Sequence, residues 1–515
     1  MSNTNKKSGL LKKIGVTVLV VLIIAAVVGI NVYNYITDTG VFARKTVAVS
    51  SGDYELTTAQ MSYYFYGQYQ SFYSMYSQYG LDMSQYIDNT KSLKAQDCMF
   101  SSNQTWFDYF MSMAVEVAEK QLTLCRAAEA AGIKLEDSDY ADIDNTMKNL
   151  EDTAKANGYS LKSFIKTNYG TFVSEKDIKD ALKYEVLASK YLTKCVDEAD
   201  VSDDVIESTY TENPNNYDVV DFLAYEFNWE HIVDADSDDS DKDDDDKKEV
   251  ATDVKLAAVA EAKKYADKMI SEAKDLESFK AVLKSYYMEA LHMTEAAADK
   301  ELEKEGFVAE KIAYSSSDEA TKWAFDAKVG DIKLFETTED HEHKENDDHS
   351  DLATTYEVLL MTAERRRDES IAYRDVRHIL FTKETYKDDT KAKEVYDKWV
   401  ADGAKVDDLI ELAKEYSEDP GSAEKGGLYE GVTEGQMVKE FDAWLFDDAR
   451  AEGDYALVET KDYGWHIMYY EGGIEAYKGK IKSEIQTDAQ TAATEAAAED
   501  YEVKVNNDAL DQIPA

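Results

Sequence analysis

The chain has 515 residues, 44% of them hydrophobic, which is room for several domains with sizeable cores. Acidic residues number 105 against 57 basic, a net charge of -48. That balance excludes a nucleic-acid or anionic-membrane partner, because phosphate is recognised by Lys and Arg.

The first element is an anchor. Lys6, Lys7, Lys12 and Lys13 precede a charge-free stretch of 24 residues, Ile14 to Thr37. Roughly 20 apolar residues suffice to cross a bilayer. The lysines belong on the cytoplasmic side by the positive-inside rule, so the bulk of the chain faces outward. The run is long and no small-x-small site stands out after it, so it reads as an uncleaved anchor rather than a signal peptide. No acid precedes Asp38, so the outward part is more acidic still.

Next comes a small hairpin. Val47-Ala48-Val49-Ser50 and Tyr54-Glu55-Leu56 flank Ser51-Gly52-Asp53, and Thr57 or Thr58 caps the helix that follows. Tyr63, Tyr64, Phe65, Tyr66, Tyr69, Phe72, Tyr73, Tyr76 and Tyr79 give that region wide aromatic faces. Packing of these faces on each other is the favoured reading; a greasy surface for unfolded chains is the rival. Phe110, Ala114, Ala118, Leu122, Cys125 and Ala128 recur at helical steps between Trp106 and Ala131, and Gly132 stops the run. Cys98, Cys125 and Cys195 are an odd count in a long chain, not a disulfide framework; one bridge stays open. Cys125 reads as a core residue.

Asn213-Pro214-Asn215 marks a boundary in a chain with only three prolines. Beyond it lie two stretches that look alike. Trp323, Phe325-Asp326-Ala327 and Gly330-Asp331 in the first match Trp444, Phe446-Asp447-Asp448 and Gly453-Asp454 in the second. Matching Tyr217 to Tyr373 sets Phe222 in the place of His378, and Glu357 or a neighbour in the place of His466. The first stretch carries two polar insertions. Asp234 to Lys248 lacks the Gly and Glu that an EF-hand loop needs at its sixth and twelfth places, where Asp239 and Asp245 stand. Glu339 to Asp351 holds His341, His343 and His349, which read as a solvated loop rather than a zinc or copper site.

The second stretch carries the chemistry. It opens on Val376-Arg377-His378-Ile379-Leu380-Phe381 and continues through Ser417-Glu418-Asp419-Pro420 and Lys425-Gly426-Gly427-Leu428. Gly435-Gln436-Met437-Val438-Lys439-Glu440-Phe441 follows, and the run closes on Tyr463-Gly464-Trp465-His466-Ile467-Met468. In this order and spacing the segments resemble the parvulin family of peptidyl-prolyl isomerases. The resemblance is close from Val376 to Tyr470. Elsewhere it extends only to the architecture of membrane-anchored extracytoplasmic bacterial foldases.

The resemblance implies an α+β fold: a four-stranded antiparallel sheet with surrounding helices, a degenerate second copy, and a mostly helical chaperone domain. The implied organisation is a cytoplasmic tail 1–13, an anchor 14–37, and a helical chaperone-like part 41–213. A degenerate parvulin-like domain 217–365 and an isomerase domain 373–472 follow. A C-terminal helix and strand, 474–515, return to the helical part, where the strand pairs with Val47-Ala48-Val49. It further implies isomerase activity and chaperone assistance to exported polypeptides with X-Pro bonds, on the outer side of a bacterial membrane. A holdase with non-catalytic parvulin domains is the alternative.

His378, Asp419, His466 and Thr460 take the family's catalytic places, and Leu428, Met437 and Phe441 its proline pocket. Met437 and Phe441, four residues apart, are expected on one face of a short helix. Tyr463 sits near a family serine position with altered spacing. Gly431 comes one residue late, which implies an altered loop beside the pocket. No cofactor or metal is required, and a homodimer is left open.

Overall fold

In a computed structural model, residues 40–236, 250–338 and 353–515 are described. The expected anchor 14–37 lies outside them, as do the histidine-bearing run and nearly all of the first acidic run. Among the described residues no helix is long and apolar enough to cross a membrane, and no group of His, Cys, Asp or Glu is placed to hold a metal ion. The described residues form two compact units, 40–200 with 485–515, and those between 201 and 484.

The first unit is mostly helical. Strands β1 (Val47–Ser51) and β2 (Tyr54–Thr57) form a hairpin turned at Gly52, whose φ of +58° favours glycine. The short strand Lys504–Val505 pairs antiparallel with β1, with Val505 opposite Val49. Thr57, not Thr58, caps the helix Thr58–Gln78, in a capping box with Gln60. The helix Trp106–Ala130 lies against it. The ring of Phe72 meets those of Trp106 and Phe110 edge-on at 5.6 and 5.3 Å. Trp106, Phe65 and Phe110 are fully buried, each contributing roughly 1.5–3 kcal/mol. The aromatic faces thus build a core, although Tyr79 and Phe100 at its end are exposed. All three cysteines are free. Cys125 is buried, and burial pushes its thiol up to about 12.

The second unit contains two four-stranded antiparallel sheets. The first is built from β3 (Asp218–Asn228), β4 (Val308–Ala313), β5 (Ile332–Thr338) and β6 (Ala353–Arg367), in the order β4-β3-β6-β5. The other is built from β7 (Ile371–Thr382), β8 (Leu428–Val432), β9 (Tyr455–Glu459) and β10 (Gly464–Glu475), in the order β8-β7-β10-β9. The connectivity is the same. In each, helices join the first two strands, and one short helix (Glu319–Ala324 or Lys439–Leu445) joins the second to the third.

The pairing register corrects one sequence match. The Gly330 amide donates to the Met361 carbonyl, as the Gly453 amide does to that of Tyr470, each at 2.9 Å. From these anchors, Phe222 opposite Met361 corresponds to Val376 opposite Tyr470. Ala224 opposite Leu359 then corresponds to His378 opposite Met468. Ala224, not Phe222, therefore stands in the place of His378, and Glu357 in that of His466. Bulges in β3 around Asp221 absorb the two-residue offset, which keeps each side chain on its face.

Alternation along the second sheet separates two faces. Ile379, Phe381, Trp465 and Ile467 pack under the helices Thr390–Ala401 and Val406–Tyr416, through Val395, Trp399 and Leu409. Val376, Met468 and Tyr470 point the other way, toward Phe441 and Leu445 of the helix Lys439–Leu445.

Candidate functional site

His378 and His466 lie on that second face, on the two central strands. They are diagonal in register, since His378 pairs with Met468 and His466 with Leu380. Their Nδ1 atoms are 3.1 Å apart, with the rings stacked at 5.3 Å. Both are buried. The edge strand reaches this point because of Gly427: at φ +80°, a Cβ there would collide with the carbonyl oxygen of His378. That close approach lets the His378 amide donate to the Gly427 carbonyl at 2.8 Å.

Asp419, in the loop after the helix Val406–Tyr416, sits 3.0 Å from Nε2 of His378. Ser422 donates to the same carboxylate oxygen, and its Oγ lies 3.1 Å from that Nε2. Burial pushes the Asp419 carboxyl up, but the bonds from His378 and Ser422 outweigh it and hold the group well below the usual range. Asp419 is therefore ionised.

The proton positions follow. An ionised acceptor requires Nε2 of His378 to carry its hydrogen. In the tautomer with its hydrogen on Nε2, His378 accepts at Nδ1, and His466 then donates from its own Nδ1 and accepts at Nε2. Thr460, fully buried, places its hydroxyl 3.0 Å from that Nε2 and 3.3 Å from the Gly464 carbonyl, so that its hydrogen can go to either, while its Oγ1 accepts from the Gly464 amide at 3.2 Å. Burial, with His378 beside it, pushes His466 down to about 3, so this imidazole is neutral at ordinary pH. One continuous chain runs Thr460, His466, His378, Asp419.

The apolar partner of the chain is Phe441. Its ring meets His378 at 5.3 Å and His466 at 5.5 Å, edge-on to both at 86°. It is 3% exposed, so it forms a floor. Met437 packs on the same cluster and is half-buried, but it lies in the turn before the helix, which begins at Lys439 after its cap Val438. The short-helix expectation fails because Thr433 to Val438 form a loop, in which the Gly435 amide bonds Asp442 at 2.8 Å.

Leu428 is not with these residues. It pairs with Arg377, on the face away from the histidines, where Arg377 bonds Glu471 and the Lys425 and Gly426 carbonyls. Tyr429, opposite Val376, occupies the histidine face instead. Its ring stacks on His378 at 5.4 Å and 25°. Gly431, at φ +62°, donates its amide to Asp375 at 2.6 Å, which fixes the displaced loop. Tyr463 is 53% exposed and stands outside the chain of bonds. Ser422 and Tyr429 are thus the two site residues that sequence reasoning missed. Spacing from Asp419 and alternation from Gly427 were the signals available for them.

Residues 356–471 match the family described as the PPIC-type PPIase domain. Over 114 residues the chain is 35% identical to a Pseudomonas fluorescens protein named chaperone SurA, covering 22% of this chain and 26% of the relative. Over 124 residues it is 36% identical to a Bacillus cereus foldase protein, PrsA 1, covering 22% of this chain and 43% of the relative. The chain thus spans less than half the length of these curated relatives. A crystal structure of PrsA from Bacillus subtilis aligns over 77% of this chain and 86% of its own, at 16% identity and a TM-score of 0.29.

Proposed function

We propose that this protein is a peptidyl-prolyl cis-trans isomerase and chaperone for exported polypeptides, working from its PPIC-type, parvulin domain at residues 356–471. The observation that carries the reading is the bonded pair His378 and His466 lying on one face of the sheet against Phe441.

Rotation about an amide breaks resonance, at a barrier of roughly 18–20 kcal/mol. Proline nearly equalises the two isomers but leaves exchange slow. The catalyst has only to bind the half-turned amide better than either planar form. Phe441 and Met437 grip the proline ring, and Tyr429 takes the wall position that sequence gave to Leu428. The aligned dipoles of Thr460, His466, His378 and Asp419 meet the charge that shifts between nitrogen and carbonyl as the amide turns. No bond to the substrate forms, and no cofactor enters.

The unit at 217–365 is a degenerate copy that does not catalyse. Ala224 and Glu357 stand where the imidazoles would be, and Ala320 stands where Phe441 would be. This copy and the helical unit serve in holding chains. The protein works outside the membrane, tethered by 14–37.

The test is a proline-isomerisation assay on a short X-Pro peptide with the full chain and with His378→Ala/His466→Ala. Acceleration by the first and not by the second is expected. No acceleration by the unaltered chain leaves only the holdase.

A further inference from the structure

In a chain of net charge -48, the runs Leu56 to Leu81 and Cys98 to Phe107 contain no charged residue. Their inner parts build the aromatic core of the helical unit, but their ends meet at its tip and leave Met75, Tyr79, Leu81, Met99 and Phe100 exposed. Tyr76 joins the two runs there: its ring stacks on that of Phe100 at 6.3 Å. An exposed apolar patch of this kind marks an interaction surface.

The patch is held in place from both sides. The helix Thr58–Gln78 stops on Gly80, at φ +72°, whose amide donates to the Ser77 carbonyl while the Leu81 amide donates to that of Tyr76. These are the two bonds of a glycine-terminated helix, and they turn Leu81 back toward Tyr76. Met99 and Phe100 ride on a loop closed at its base by the pairing of Asp97 with Thr105 and by the Cys98 amide, 2.8 Å from the Gln104 carbonyl. Methionine and aromatic side chains together suit a surface that accepts varied apolar partners.

Charge selects the occupant. The two uncharged runs are bounded by the exposed carboxylates Asp82, Asp97 and Asp108, and Asp82 and Asp97 have no cationic partner among the described residues. Nearby Lys94 is engaged, donating to the Asp511 carbonyl at 2.6 Å and lying over the Phe107 ring at 4.2 Å. An apolar centre with an acidic rim repels an anionic bilayer, and a second copy brings another -48 charges to it. A neutral or basic unfolded segment meets no such repulsion.

We propose that this tip is where the helical unit takes hold of a client, and that it selects apolar and aromatic segments flanked by Lys or Arg. The proposal rests on the chaperone reading above and gives it a place and a charge preference.

The test is fluorescence anisotropy of the full chain with two labelled peptides that contain no proline. They share a Phe-Leu-Tyr-Val core, flanked by lysines in one and by glutamates in the other. At low salt the lysine-flanked peptide is expected to bind about tenfold more tightly, with the difference shrinking as salt is added. Met75→Ser/Tyr79→Ser/Met99→Ser is expected to weaken its binding about tenfold, as loss of anchoring side chains does. Asp82→Asn/Asp97→Asn is expected to bring the two affinities together. Where the triple variant unfolds more easily in urea, Tyr79→Ser alone decides, since that residue is 77% exposed. Equal affinities of the unaltered chain for the two peptides overturn the proposal, as does unaltered binding by the serine variant. A variant that keeps its peptide affinity but changes its sedimentation, or its binding to phosphatidylcholine vesicles, gives the tip to a second copy or a bilayer, and overturns it too.

Turnover of an X-Pro peptide is read separately and is expected to be unaltered in the serine variant. A chain without turnover that still binds the lysine-flanked peptide through the tip loses the isomerase reading and keeps this one. A chain that suppresses client aggregation equally well with and without the tip keeps the chaperone reading and loses this one.

Discussion

The two sheets of the 201–484 unit have one connectivity and nearly one register, but opposite chemistry at matching places. In β7 and β10 the central positions hold His378 and His466, with Phe441 across them. In β3 and β6 the same positions hold Ala224 and Glu357, and the short helix offers Ala320. The first set buries two imidazoles by bonding each nitrogen to a neighbour. The second buries an apolar face of Phe222, Leu359 and Met361, and leaves a carboxylate at its margin. The lesson is that the fold asks only for an apolar face between strands and short helix. The histidine chain is an additional demand, met by groups beyond the two central strands: Asp419 and Ser422 from one loop, and Tyr429, whose ring stacks on His378, from the edge strand.

The strongest way to break this comparison is Phe441→Ala. Removing a buried ring costs roughly 3–5 kcal/mol of stability, and here it also removes the floor under both imidazoles. The expected outcome is a loss of isomerase turnover on an X-Pro peptide of about two orders of magnitude, equivalent to about 2.7 kcal/mol of transition-state binding. Suppression of aggregation of an unfolded client is expected to persist. Equal loss of both activities would show that the two sheets and the helical unit do not divide the work. The matching sheet already has alanine at the equivalent Ala320, so Ala320→Gly there is expected to leave turnover unchanged, checked in the same peptide assay.

Much of this was legible in the sequence, for identifiable reasons. His378 and His466 sit in strands whose neighbours are apolar, and the spacing between them carried the resemblance. Asp419 and Thr460 came with it. What failed was local geometry. Leu428 and Tyr429 differ by one position, and in a strand one position is the whole difference between faces. The bulge between Arg374 and Val376 hides that register from anyone counting residues. Phe222 was misplaced for the same reason, by bulges around Asp221. Met437 has the spacing of a helical partner to Phe441, but the helix starts two residues later, at Lys439.

Acid sharpens the contrast next. His466 is pushed down to about 3 by burial and by His378, whereas a free histidine titrates near 6.5. Between those values the unfolded chain binds a proton that the folded one refuses. Its contribution is therefore complete above about pH 6.5 and is lost as pH falls toward 3, at no more than about 1.4 kcal/mol per unit. Asp419, also lowered, adds a loss of the same sign below about pH 4. The unfolding midpoint of the histidine-bearing sheet in urea is expected to fall from pH 7 to pH 4, and His466→Gln to flatten that fall. An equally steep fall in the variant would place the acid sensitivity elsewhere.

The smallest effect lies at the matching position. Burial, Asp318 and Glu226 raise the Glu357 carboxyl above its ordinary range. The sign is the reverse of that for His466: the folded chain holds a proton that the unfolded one has released, so ionisation at neutral pH destabilises this sheet. The penalty disappears as pH falls through the raised value. Glu357→Gln should therefore raise the unfolding midpoint slightly at pH 7 and not at all in acid, with the two curves converging as pH is lowered. Because Glu357 is half-exposed, water screens most of the repulsion and the gain is small. A variant that is less stable at pH 7 would mean that the carboxylate has a cationic partner, and the correspondence between Glu357 and His466 would then be one of place only, with each sheet having found its own way to satisfy a polar group there.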